Sequence, residues 1–396
     1  MPNRPLALPL ASLALCLLLA ACSASDAVRT VRIIATGDAA GAGVMAAEKA
    51  TRYALNPEAL SWDLKKFKQQ LDAFRKAIGG VWGEKERQEP TPKRYVKYTR
   101  NYLARASVDF DTGLVTVETL DPKDPRGSLK NAIVTTVLAP ADPRSLDLYS
   151  DKEIKLGDTP FLLGEVKDFD GQDIRWAWRA ENFANALLAR GVATRTVEGP
   201  GGPTTAHGVQ FQLIKDHLHV RASKYAGLVS QHAAKFNISQ NLIYAVIKTE
   251  SDFNPFAVSS APAFGLMQIV PRSAGAEVSK YLTGKAGQPD KQFLFKADNN
   301  ILYGAAYLHL LDTRHLNKVT DPVSREYCTI AAYNGGSGAV LRSFHKDRAK
   351  AVAQINTLTP NQVYEHLRAH LPYEETRNYL GKVVNSKKLF VGTAKG

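Results

Sequence analysis

Apolar positions first recur with helical spacing at Leu64, Phe67, Leu71, Phe74 and Ile78. Ser61 ahead of them can cap a helix, and Gly79-Gly80 after them can stop one. Further on, Ala106 to Phe110 and Leu114 to Leu120 alternate on either side of Asp111-Thr112-Gly113, the pattern of two strands joined by a short glycine-containing turn. A helix and a hairpin in one stretch predict an α+β unit. Between them Tyr95, Lys97, Tyr98, Arg100 and Tyr102 interleave aromatic and basic side chains. Two readings fit: a surface that stacks ligands, or a half-buried strand with a solvated basic face.

The pattern changes near position 200. Glu198-Gly-Pro-Gly-Gly-Pro-Thr-Thr-Ala206 is dense in turn formers and reads as an exposed linker, and Val209, Phe211 and Leu213 then alternate as a short joining strand. From His219 the spacing is helical. One helix is expected from about Arg221 to Lys235, a break at Asn237-Ile238-Ser239, and a second helix from Gln240 to about Ser251 with Ser239 as its cap. Leu242, Ile243, Ala245, Val246 and Ile247 nearly encircle that second helix, so it should be central and buried. The expected organisation is an α+β unit of accessory role over residues 22–198, a linker and joining strand over 199–218, and a mostly helical unit over 219–390. All four tryptophans precede position 200 and all nine histidines lie at His207 or later, which supports two differently built units.

The first residues belong to neither unit. Arg4 precedes an apolar run from Leu6 to Ala21, too short for a usual membrane span and suited to a secretory signal over residues 1–21. It ends in Leu19-Ala20-Ala21-Cys22, which resembles a bacterial lipobox, so Cys22 is expected to become an acylated mature N-terminus. Ser23 after the cysteine resembles the outer-membrane sorting pattern, which implies an outer-membrane lipoprotein facing the periplasm. Of three cysteines, Cys16 would be removed and Cys22 lipidated, leaving Cys328 as a lone buried thiol with no disulfide framework. The 396 residues carry 44% hydrophobic and 22% charged side chains with a net charge of +13. That composition is globular, and outside the cytoplasm the charge suits anionic lipid and cell-wall carboxylates rather than nucleic acid.

The chemistry centres on one acid. Glu250 arrives at the end of an apolar helix, where burial would raise its pKa and let it hold a proton near neutral pH. Around it stand four blocks: Glu250-Ser-Asp-Phe-Asn-Pro-Phe-Ala-Val-Ser259, Gly265-Leu-Met-Gln-Ile269, Ala331-Ala-Tyr-Asn-Gly-Gly336 and Glu375-Thr-Arg-Asn-Tyr379. In this order they resemble the family 1 lytic transglycosylases, over roughly residues 215 to 390 and including Asp298-Asn-Asn-Ile301. The resemblance implies a lysozyme-like, mostly helical second unit that cleaves the β-1,4 bond between N-acetylmuramic acid and N-acetylglucosamine. One departure is Ala261, where some relatives carry a second serine.

The residues agree with that reaction. Ordinary glycosidases need two carboxyl groups, yet from Phe253 to Ala276 there is neither Asp nor Glu. The resemblance implies that Glu250 protonates the glycosidic oxygen and then deprotonates the muramoyl C6 hydroxyl, which closes on C1 as a 1,6-anhydro ring without water. It implies Tyr379 beside the acid, and Ser259, Gln268, Tyr333 and Asn334 around the sugar. Met267 fits core or cleft equally. Ser251 is expected to bond locally, and Glu375 to partner helix ends or Arg377 rather than act as a second carboxylate. The histidine spacings match no zinc pattern and no acidic calcium loop is present, so neither metal nor cofactor is expected. The expected partners are peptidoglycan strands, membrane lipid through Cys22, and other cell-wall enzymes through the N-terminal unit. Two alternatives stay open: a murein-binding scaffold without turnover, and a hydrolytic muramidase in which water attacks.

Overall fold

The computed structural model describes residues 57–259 and 261–391. Cys22 and the expected signal over 1–21 lie outside the described residues. The first unit opens with helix α1, Pro57–Trp82. Five antiparallel strands follow: β1 Arg94–Thr99, β2 Ala104–Asp109, β3 Leu114–Thr119, β4 Ala193–Gly199 and β5 Gly202–Gln212, in the order β1-β2-β3-β5-β4. Helices α2, Pro125–Val137, and α3, Ala177–Ala189, pack together, and α2 lies on β2 and β3. Asp124 starts α2 by accepting the Gly127 amide at 2.8 Å, with Pro125 pre-set for the first turn.

Four expectations need correction here. Gly79 and Gly80 lie inside α1, whose end comes at Gly83, the residue with a φ of +84°. Ser61 likewise lies within α1 rather than before it. The Glu198 to Ala206 stretch is not a linker: β4 and β5 pair across it from Ala193↔Gly208 to Gly199↔Gly202. Its Gly and Pro residues make a hairpin turn, and β5 is an interior strand of the sheet, bonded on both sides. The aromatic and basic run of β1 is neither a ligand surface nor a solvated face. Tyr95 and Tyr98 are fully buried, and Lys97, 2% exposed, donates to the Ser150 carbonyl at 2.6 Å.

The second unit is helical: α4 His217–Ser223, α5 Ala226–Phe236, α6 Gln240–Ser251, α7 Ala276–Thr283, α8 Lys291–Leu294, α9 Ala297–Leu310, α10 Pro322–Gly335, α11 Ser337–Phe344, α12 Arg348–Thr357, α13 Pro360–His370 and α14 Glu374–Lys387. The single helix expected from Arg221 to Lys235 is thus two, split at Lys224-Tyr225. Helix ends follow side-chain chemistry: Asn237 at φ +51° closes α5, Asp321 caps α10, and Thr359 with Gln362 forms a reciprocal capping box on α13. Cys328 is buried in the helical core, and burial pushes its thiol up to about 12. Among the described residues no helix is long and apolar enough to cross a membrane.

The two units are packed into each other. Phe256, from the second unit, sits in the first unit's core against Tyr95 and Phe161 at ring distances of 5.4 and 5.2 Å.

Candidate active site

Ser239 starts α6 by accepting the Leu242 amide at 3.2 Å, and the run from Leu242 to Ile247 is buried. Glu250 is carried at the far end of that apolar helix. Burial pushes its carboxyl up to about 8, with the nearby Glu375 charge adding to the rise and Tyr379 and Lys93 opposing it. Tyr379 comes from α14, which packs along α6. Its hydroxyl is buried, makes no hydrogen bond of ordinary length, and interacts at longer range with the Glu250 carboxyl. Tyr333, near the end of α10, also feels the Glu250 charge and donates to the Met267 carbonyl at 2.8 Å. Burial first, then Glu250, holds both phenols well above their ordinary pKa.

Loop residues 257–259 and 261–269 face this group. Asn300, fully buried on α9, organises them: its carbonyl accepts the Met267 amide at 2.8 Å, and its amide donates to the Phe264 and Leu294 carbonyls at 2.7 and 2.9 Å. Gly265 supplies a φ of +74° at that turn, and a Cβ there would stand 2.5 Å from the Asn300 amide nitrogen. Gln268, itself at φ +48°, donates to the Ala257 and Gly265 carbonyls at 3.1 and 2.8 Å. Its Oε1 is buried and accepts no hydrogen bond. Ser251 ties the helix to the loop, donating to the Ile247 carbonyl at 3.1 Å and the Leu266 carbonyl at 2.7 Å.

Other expected site residues are placed differently. Met267 is fully buried, and its side chain fills the space over Gly304, where an added Cβ would meet its sulfur at 2.1 Å. It is a core residue, and only its carbonyl serves the site. The Ser259 hydroxyl is used within its own turn, donating to the Ala261 carbonyl and accepting the Ala263 amide at 3.2 Å. Asn334 accepts from the Thr376 hydroxyl at 2.7 Å and donates to Glu375 at 3.5 Å. Arg377 does not pair with Glu375; it donates to the Leu371 carbonyl.

One set of residues around the acid carries no sequence signal. Past Glu250 the chain turns through Asp252 and Phe253, at φ +53° and +59°. Asp252 is fully buried: Lys248 reaches its carboxylate at 2.6 Å and Arg221 at 3.3 Å. Arg221, 2% exposed on α4, also donates to Glu165 of the first unit at 2.6 Å and to the Phe110 carbonyl at 3.4 Å. Lys93 and Lys248 share Asp111 at 3.2 and 3.4 Å. Burial and the hydrogen bond with Asp111 raise the Asp252 carboxyl against the pull of Lys248 and Arg221. Spacing along a helix cannot tell such a buried arginine from a solvated one.

Comparison with known proteins matches this architecture. The family profile described as the membrane-bound lytic murein transglycosylase C N-terminal domain matches residues 60–224, and that of the transglycosylase SLT domain matches residues 227–356. Membrane-bound lytic murein transglycosylase C of Yersinia pestis (strain Pestoides F) is 44% identical over 327 residues, covering 82% of this chain and 90% of that protein. The Yersinia pseudotuberculosis serotype O:1b (strain IP 31758) protein of the same name gives the same figures. With both domains matched in order and a relative aligned over nine-tenths of its length, the chain belongs to the membrane-bound lytic murein transglycosylase C family.

Proposed function

We propose that this chain is a lytic transglycosylase that cleaves peptidoglycan between N-acetylmuramic acid and N-acetylglucosamine and leaves 1,6-anhydromuramoyl ends. The observation that carries the reading is the Glu250 carboxyl, part-buried at the end of an apolar helix and held protonated near neutrality beside the Tyr379 hydroxyl. As an acid it gives its proton to the glycosidic oxygen while an oxocarbenium-like centre develops at C1 of the muramoyl sugar. As a carboxylate, stabilised by the Tyr379 hydroxyl, it then takes the proton of the C6 hydroxyl, which closes on C1. The neighbouring carboxylates are engaged elsewhere. Asp252 faces Arg221 and Lys248, and Glu375, exposed on the first turn of α14, bonds the Asn334 amide. Acylation at Cys22 would tether the enzyme to the outer membrane facing the glycan.

The test is mass spectrometry of muropeptides released from purified sacculi. Products one water lighter than reducing-end muropeptides are expected. Reducing ends would make the enzyme a hydrolase, and binding without products would make it a scaffold. Retained cleavage by correctly folded Glu250→Gln would remove Glu250 from its role.

A further inference from the structure

The approach to α3 carries chemistry that the Glu250 site does not use. Lys167, Asp173, Arg175, Trp176, Trp178 and Arg179 line a shallow cavity of about 420 Å³, sharing no residue with that site. Trp176 and Trp178 are 58% and 57% exposed, and among the large hydrophobics described as exposed only Val391, close to the end of the chain, is more so. Burying either indole would gain substantial hydrophobic free energy, so leaving two neighbours bare beside one concavity asks for an occupant.

The occupant follows from the charges. The Arg175 guanidinium lies 5.4 Å from the Trp176 ring centre and that of Arg179 4.5 Å from Trp178. Asp168 holds Arg179 in place, and Asp173 holds Lys167 at 2.5 Å. Arg175 has no acidic partner among the described residues. Flat apolar faces suit the C–H faces of pyranose rings. An unpaired guanidinium suits a carboxylate, and paired ions offer fixed donors and acceptors to hydroxyl and acetamido groups. A bilayer would instead call for indoles on a convex surface with unpaired cations around them.

We propose that this cavity is a second glycan-binding site, which holds an acetylated, carboxylate-bearing stretch of strand away from the bond being cut. The proposal rests on the reading of the chain as a murein enzyme. Its test is co-sedimentation of the full mature chain, produced without acylation and carrying Glu250→Gln, with insoluble sacculi. Adding Trp176→Ala and Trp178→Ala is expected to weaken binding about ten-fold, the order of losing two stacking contacts. Trp176→Phe with Trp178→Phe should retain most of it. Arg175→Gln is expected to weaken binding to sacculi but not to uncharged chitin. Unchanged sacculus binding by the folded double alanine variant, while the wild-type chain cleaves, overturns this site and leaves the catalytic reading intact. Failure of every variant to bind, with no muropeptides released by wild type, overturns both. If the alanine variant loses only its binding to phosphatidylglycerol vesicles, the tryptophans face lipid and the glycan site is overturned.

Discussion

Glu250 stays neutral in the folded protein up to about pH 8, because burial removes the solvent its charged form needs. In the unfolded chain the same group ionises near pH 4.3. The folded pKa is the higher one, so the protonated folded form is favoured at low pH and stability is lost as pH climbs between the two values. Glu250→Gln cannot ionise. It is expected to match wild type in thermal midpoint below about pH 4, then to gain an advantage up to about pH 8 that holds constant above it. A pH-independent difference would show that the carboxyl is not desolvated. Catalysis should lose its acid as pH rises through about 8. Tyr379 opposes the rise in the Glu250 pKa, so Tyr379→Phe is expected to move that alkaline limb of the rate profile upward while lowering the maximum. An unmoved limb would exclude Tyr379 as the tuning group. The Glu250 candidate rests in the sequence on the four family-like blocks around it, since an acid at the end of an apolar helix is common by itself. Gln268's unpaired oxygen was not legible there, since the carbonyls that take its amide hydrogens belong to a fold the sequence does not display.

Helix α6 was predicted almost to the residue because Ser239 and its apolar girdle are local signals. The β2–β3 hairpin was predicted for the same reason, with Asp111-Thr112-Gly113 between alternating runs. The β4–β5 hairpin is not legible in the sequence, because glycine and proline density is the same in a linker and in a tight turn. Moreover, β5 alternates with Thr, His and Gln, which announce no face. Sequence leaves Met267 open between core and cleft for a related reason: the notch that receives it is made by Gly304, distant in sequence. That notch gives a test whose sign is reversed from the usual one. Gly→Ala within a helix ordinarily stabilises by about 0.5–1 kcal/mol. Gly304→Ala would drive Cβ against the Met267 sulfur, methyl and Cβ, and is expected to destabilise by about 1–3 kcal/mol as an overpacked core. Met267→Ala in the same chain should recover part of the loss in urea unfolding. A stabilising Gly304→Ala would return Met267 to the cleft.

At the scale of the molecule, the family profiles meet between Lys224 and Gly227, but the physical boundary is not a hinge. Arg221 and Lys224, on the second unit's side of the sheet, both bond Glu165 at 2.6 Å, and Glu165 and Asp252 are fully buried. The chain direction past Glu250 is therefore set by a cation that the first unit holds in place. Arg221→Met keeps the apolar stem and removes the charge, leaving Glu165 with Lys224 alone and Asp252 with Lys248 alone. A buried pair broken on one side costs about 3–5 kcal/mol. With Phe256 lodged in the first unit's core, wild type should unfold in urea as one transition when followed by far-ultraviolet dichroism and by tryptophan fluorescence, since every tryptophan lies in the first unit. In Arg221→Met the two probes are expected to separate, with the helical unit melting first because Asp252 and the end of α6 have lost their anchor. Adding Glu165→Gln would leave the Lys224 ammonium without its carboxylate partner, so it is expected to lower stability further rather than restore it. Coincident transitions with full activity in Arg221→Met would mean that the acid is positioned by its own domain alone.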